Sequence, residues 1–334
     1  MNNDNNANDK TNTKEYKVGF IIVSVICFAI LSYPYISNYI STNFTHKSSV
    51  FTINVTPIPL TPTPIVMSLL PFKSNVTVNN IMNVQNANIF ASGTSSQYSV
   101  YTYDPFNVQT LIQKFKMSSV NASTWENSDD SYALSVINGH YTLEHYASVT
   151  QNTIDVVTMK NNFENYLNTI FGINSGYILK SIVKSGNYYE FEVTFLNGNN
   201  SIYPDTSSDF IDMYIRPDGV LGYVNFTNFP IGDRLTKVTD VNLVPLGNAL
   251  DQVYSNLNYL SVFTQDSSIT DKTININTNI SIEYTKIDYM ANNGYVFPVF
   301  HIHLNAGVIN YSGAKIFDVF FPAIDTSNIS LTAQ

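Results

Sequence analysis

The strongest constraint on this chain is a series of turn residues, each set between segments that alternate apolar and polar side chains. From Tyr132 to Tyr146 the alternation is centred on Asn138-Gly139, a pair that favours a two-residue type I′ turn because both positions accept positive φ. Such a turn pairs Val136 with Tyr141 and Leu134 with Leu143 on one face, and Ser135 with Thr142 and Ala133 with Glu144 on the other. The signature repeats downstream. Tyr177–Lys184 leads through Ser185-Gly186 to Tyr189, Phe191, Val193 and Phe195, which alternate with Glu190, Glu192 and Thr194. Phe210–Ile215 and Val220–Phe226 flank Arg216-Pro-Asp-Gly219, with Pro second and Gly fourth in a type I turn. Ile280–Met290, Asn292-Asn-Gly294, Tyr295–Leu304 and Lys315–Ile324 extend the antiparallel pattern.

Three segments switch to helical spacing. Asp104-Pro105 reads as an N-cap followed by Val108, Leu111, Ile112 and Phe115. Asn161–Phe171 places Phe163, Tyr166, Leu167, Ile170 and Phe171 on one stripe, closed by Gly172. Leu246–Leu257 repeats Leu250, Val253, Tyr254 and Leu257. The fold class expected is therefore α+β: antiparallel sheets with about three packed helices, preceded by an N-terminal transmembrane helix.

That last element rests on Val18 to Phe44, which carry no charged side chain. The core Val18–Ile36 is about 19 residues, enough to cross the hydrocarbon. Tyr16 borders it on one side and Tyr33, Tyr35 and Tyr39 on the other, and Lys10, Lys14 and Lys17 precede it, which places the N-terminus in the cytoplasm. A cleaved signal peptide lacks its small-residue site here, and a pilin-type leader lacks its acidic residue, since Val23 and Ser24 occupy that region. The expected organisation is a cytoplasmic tail (1–17), a transmembrane helix (18–40) in the lipid bilayer, a Thr/Pro-rich linker (41–70), and two α+β subdomains (71–155 and 156–334) outside the cell.

Only 12% of the residues are charged, about half the usual share, although apolar content is 44%. A surface made of uncharged Asn, Ser, Thr and Tyr suits an acidic exterior, where ionised pairs are lost, and points to a thermoacidophilic archaeal or viral source. The tail is neutral, so the net charge of −9 belongs to the rest of the chain, and nucleic-acid binding is not expected. The sole cysteine, Cys27, lies in the apolar run, so the outer region has no internal disulfide.

Candidate chemistry is sparse. His301 and His303 lie two apart on an alternating strand and can offer two ligands on one face to a metal. The third ligand (His140, His145 or a carboxylate) is not fixed by spacing, and no metal or other cofactor is expected. Asp205-Thr-Ser207 and Asp325-Thr-Ser327 resemble the halves of an aspartic protease, but Ser replaces the glycine that follows Asp-Thr there. Asp205, Asp209, Asp212 and Asp218 lack the spacing of a calcium loop. Nine sequons, at Asn43, Asn54, Asn75, Asn121, Asn199, Asn225, Asn279, Asn310 and Asn328, are glycosylation candidates if the region is outside, although chance supplies about this many in so Asn-rich a chain.

The order of elements over Phe106–Ile324 resembles the extracytoplasmic part of the YycH/YycI family of membrane-anchored regulators and related PepSY-like domains. Tyr188-Tyr-Glu-Phe-Glu-Val-Thr-Phe, Arg216-Pro-Asp-Gly-Val-Leu-Gly-Tyr, Gly247-Asn-Ala-Leu-Asp-Gln-Val-Tyr and Tyr295-Val-Phe-Pro-Val-Phe-His-Ile-His carry it. Phe300 stands where that family often has Trp. The resemblance implies a helix-anchored domain that binds and tunes a protein partner in the membrane or envelope without catalysis. The expected function is accordingly a non-enzymatic extracellular binding or regulatory protein of the cell membrane or a viral envelope. A virion or envelope structural protein and an extracellular acid hydrolase are the alternatives.

Overall fold

The alternating segments fold as strands, and in the computed structural model most of them join one large mixed sheet. The structure describes residues 66–79, 98–129, 131–148, 150, 152–205, 209–231 and 234–332, within the compact unit Thr61–Gln334. Two short strands come first, β1 (Met67–Leu69) and β2 (Thr77–Asn79). β3 (Tyr98–Thr102) and helix α1 (Gln109–Lys114) precede a meander of β4 (Met117–Asn121), β5 (Thr124–Asn127), β6 (Tyr132–Ile137) and β7 (His140–His145). Helix α2 (Val156–Tyr166) runs into a π-turn (Leu167–Phe171), followed by β8 (Tyr177–Ser185), β9 (Tyr188–Asn197), β10 (Asn200–Pro204), β11 (Ile211–Ile215) and β12 (Leu221–Phe226). β13 (Thr236–Val241), α3 (Leu246–Ser255) and β14 (Ser261–Phe263) lead to β15 (Thr273–Asn292), β16 (Tyr295–Val308), β17 (Ala314–Pro322) and β18 (Ile329–Leu331).

The main path across the sheet runs β4-β5-β6-β7-β12-β11-β9-β10-β15-β16-β3-β13, with β8 beside β9 and β17 beside β16. The β6–β7 hairpin has the register expected from Asn138-Gly139, whose φ angles are 52° and 78°. Asn293 and Gly294 make the equivalent turn between β15 and β16, at 47° and 84°. Gly172 ends the π-turn in the left-handed conformation.

Two apolar cores lie along this sheet. In one, Phe163 of α2 stacks on Phe191 of β9 at 4.9 Å, and Val193, Ile211 and Met213 surround the pair. In the other, Leu250 and Val253 of α3 pack with Phe297, Ile302, Phe317 and Phe321. Met67 and Leu69, read from sequence as the end of the linker, are fully buried in this second core because β1 pairs with β18. Fully burying each such side chain contributes about 1.5–3 kcal/mol.

Two expectations are corrected. The class is mainly β with a mixed sheet, in place of α+β with antiparallel sheets. The three helical stripes give helices of 6, 11 and 10 residues, whereas β15 and β16 extend to 20 and 14. Parallel pairs also appear, β1 with β18, β10 with β15 and β2 with β15. A membrane-spanning, single-pass description is not supported either: among the described residues no helix is long and apolar enough to cross a membrane. The 18–40 segment, the 1–17 tail and the linker as far as 65 lie outside the described residues.

Candidate functional site

β15, β16 and β17 bring a chain of titratable side chains onto one face. His301 of β16 sits opposite Lys286 of β15 and Phe320 of β17, and His303 opposite Tyr284 and Asp318. The His301 ring is buried, with Nδ1 2.8 Å from Asp288 Oδ2 and Nε2 2.8 Å from Asp318 Oδ1. The same Asp318 oxygen lies 2.6 Å from His303 Nδ1, and His303 Nε2 is 3.3 Å from Glu283. Asp288 is itself held by the Ser201 backbone N–H at 3.1 Å and by Lys286 Nζ at 2.9 Å. Aromatic rings fix both imidazoles: Phe320 stacks on His301 at 4.3 Å, and Tyr284 on His303 at 4.7 Å. Burial on its own would lower the His301 pKa, but its bonds to Asp288 and Asp318 outweigh that and raise it. For Asp318 burial acts to raise the pKa, and the two imidazoles prevail and lower it.

A second cluster lies on β8, β9 and β11, on the face opposite Phe191 and Met213. Asp212 is paired with Glu192 across the β9–β11 ladder, and Tyr214 with Glu190. Lys180 reaches Glu192 at 3.5 Å and Asp209 at 3.4 Å. The Tyr214 hydroxyl donates to Glu190 at 2.5 Å, and its ring stacks on Tyr223 at 4.1 Å. Burial, reinforced by Asp209, Glu190 and Glu192 and only partly offset by Lys180, pushes the Asp212 pKa up to about 7. Burial also raises Asp209, against Lys180. One Asp212 oxygen, Oδ1, is buried and accepts no hydrogen bond among the described residues.

The clusters meet at a cleft of about 230 Å³. Lys180 and Asp209 line one part, and Tyr203, Tyr284, His301, His303 and Asp318 the other.

The remaining sequence candidates lie elsewhere. His145 stacks on Tyr132 and His140 is exposed at the β6–β7 turn, so neither joins His301 and His303. Asp318 supplies the missing carboxylate. Asp205, beside Tyr103 and Lys73, is raised to about 6 by burial, whereas Asp325 caps a short 3-10 turn by accepting from Ser327 N–H. The structure shows no bond shared by these two carboxyl groups among the described residues. Asp218 pairs with Arg216 at 3.0 Å, in the turn before β12 and apart from Asp209 and Asp212. Of the sequons, Asn43 and Asn54 lie outside the described residues, as does the Asn279 side chain. Asn121, Asn199 and Asn310 are exposed and Asn328 is half-buried. Asn75 is exposed but its amide donates to Thr264, and Asn225 is half-buried in β12, bonded to Thr142.

Sequence reading passed over Asp288, Asp318 and the Asp212–Glu192 pair as parts of a site. A signal existed: Asp318 interrupts the apolar run Phe317-Asp318-Val319-Phe320, and an acid there must find a partner on folding.

No protein-family model matches the chain, and no curated protein does. Among solved structures it is similar to the Bacillus megaterium YpeB C-terminal domain, at 12% identity and a TM-score of 0.29, over 75% of this chain and 94% of that one. At this TM-score the likeness carries no argument about fold or activity, and the finer resemblance to the YycH/YycI family gains no support from it.

Proposed function

We propose that the chain is a non-enzymatic binding domain that engages a cationic segment of a partner protein on its acidic, tyrosine-bearing sheet face. The observation that carries this reading is the gathering of Glu190, Glu192, Asp209 and Asp212 around one lysine, Lys180. A lysine or arginine from outside supplies the positive charge that the cluster lacks. The stacked Tyr214 and Tyr223 rings beside it offer faces to the same cation. The net charge of −9 steers a basic partner toward such a face. An exterior location belongs to the proposal.

The test uses the full chain and a labelled oligolysine peptide, with oligoglutamate as control, followed by fluorescence anisotropy at rising salt. Saturable oligolysine binding that weakens with salt and falls about tenfold or more in Glu192→Lys is the expected result. Equal binding by wild type and Glu192→Lys, or no binding at all, overturns it.

A further inference from the structure

The one-face alternation of β16 and the pairing of β17 place three ligand atoms of different residues at a single point. His301 Nε2, His303 Nδ1 and Asp318 Oδ1 lie within 4.8 Å of one another. We infer that these three side chains form a binding site for a divalent transition-metal ion, with zinc as its natural occupant and the cleft supplying a fourth, water ligand. Two imidazoles and a carboxylate are a ligand set of the borderline kind that zinc prefers over calcium or magnesium. A tetrahedral ion with bonds of about 2.0–2.1 Å sets its ligand atoms roughly 3.3 Å apart, so the nitrogens of His301 and His303, now 2.8 Å and 2.6 Å from Asp318 Oδ1, draw back from it by roughly 0.5–0.7 Å.

A second, independent feature distinguishes this arrangement from an ordinary ion pair. His301 bonds through its other nitrogen to Asp288, which is buried and pinned by Ser201 N–H and Lys286. A carboxylate behind a histidine in this way fixes the ring and its tautomer so that the far nitrogen points at the metal. Glu283 stands in the same relation to His303, at 3.3 Å. Tyr284 and Phe320 hold the ring planes, and the three ligands line the cleft, which gives an ion a route and room for water. The inference is independent of whether the acidic face binds a partner.

The experiment takes the full chain, stripped with chelator and dialysed, and titrates it with Zn²⁺ alone by calorimetry. Co²⁺ is added in parallel as a visible-absorption probe of coordination. The expected result is one equivalent bound, intense four-coordinate cobalt absorption, and a higher Tm with zinc. His303→Gln and Asp318→Asn, both close in size to the native residues, should each weaken zinc binding about tenfold or more while circular dichroism stays that of the wild type. Glu164→Gln, on α2 and outside the cleft lining, should bind zinc as the wild type does. Absence of saturable binding by the wild type overturns the inference. So does undiminished binding by folded His303→Gln and Asp318→Asn, which assigns the ion to another place. If one variant fails to fold, the other decides.

Discussion

Residues 98–231 and residues 241–332 each put a carboxylate cluster on the sheet, by different routes and with different electrostatic outcomes. In the first region pairing is mostly local: β4 to β7 form a meander, β8 pairs with β9 and β11 with β12. Its cluster sets four carboxylates against Lys180. In the second region β15 takes a parallel partner from far earlier in the chain, and β18 pairs with β1. Its cluster sets Asp288 and Asp318 against His301, His303 and Lys286. The charges of the β15–β16–β17 cluster are matched inside the fold. Those on the β8–β9–β11 face are left in excess.

The largest expected effect comes from unmatching the matched cluster. His301→Ala strips Asp288 and Asp318 of a shared buried partner, and urea unfolding should show a loss of about 3–5 kcal/mol. A loss below about 1 kcal/mol shows that these charges are not balanced by His301. The first region should instead be most sensitive at its turns. A Cβ on Gly219, where φ is 80°, meets Ile154 at 2.3 Å and Asn162 at 2.6 Å, so Gly219→Ala is expected to cost about 2–4 kcal/mol. At Gly139 φ is also positive, but nothing lies near the added atom. Gly139→Val should therefore cost only the backbone strain, about 1–3 kcal/mol, and an unchanged denaturation midpoint would contradict that turn.

Asp212→Asn sharpens the comparison with the opposite sign. The folded pKa of Asp212, about 7, lies above the ordinary value of 3.8, so the folded state keeps a proton that the unfolded state gives up between those limits. Its contribution is therefore most favourable below about pH 4 and is lost as pH rises through 7. Glu190, Glu192, Asp209 and Lys180 face it and set the size of the effect. Asn in its place should raise stability at pH 8 by roughly 1–2 kcal/mol, discounted for solvent screening, and should flatten the curve from pH 4 to 8. Below that window the trend reverses. Side-chain and backbone N–H groups bonded to Asp218, with Arg216 beside it, overcome its burial and hold it at about 2, and protonating it costs stability toward pH 2. Tm measured across this range, with equal slopes for wild type and Asp212→Asn, would remove the cluster as the cause.

Much of the first region was legible because its information is local. Asn138-Gly139, Ser185-Gly186 and Arg216-Pro-Asp-Gly219 each specify a turn, and the alternation beside each specifies a face. The helical stripes were also real, yet the N-cap of α1 is Val108 instead of Asp104, and Asp104 and Pro105 lie in irregular backbone before it. The parallel pairs carry no turn to announce them, so the mixed character of the sheet could not be read. The histidine pair was visible through its spacing on β16. Asp318 and Asp288 were not, since cross-strand register depends on where β15 and β17 begin, and β15 contains two register shifts. Glu192 and Asp212 met for the same reason: 20 residues separate them, and β9–β11 pairing alone makes them neighbours.

The parallel pairing of β1 with β18 bears on a different property, resistance to pulling. Met67–Leu69 lies alongside Ile329–Leu331, and Thr332 N–H donates to the Leu69 carbonyl at 2.7 Å. Force applied to the two ends of the Thr61–Gln334 unit draws these strands past each other lengthwise, loading their crosslinks together rather than one at a time. The expected consequence is a mechanical clamp: in single-molecule extension the unit should yield at one high force, and Leu69→Pro should lower it. A gradual, low-force extension in the unmodified chain would show that β1 and β18 bear no load.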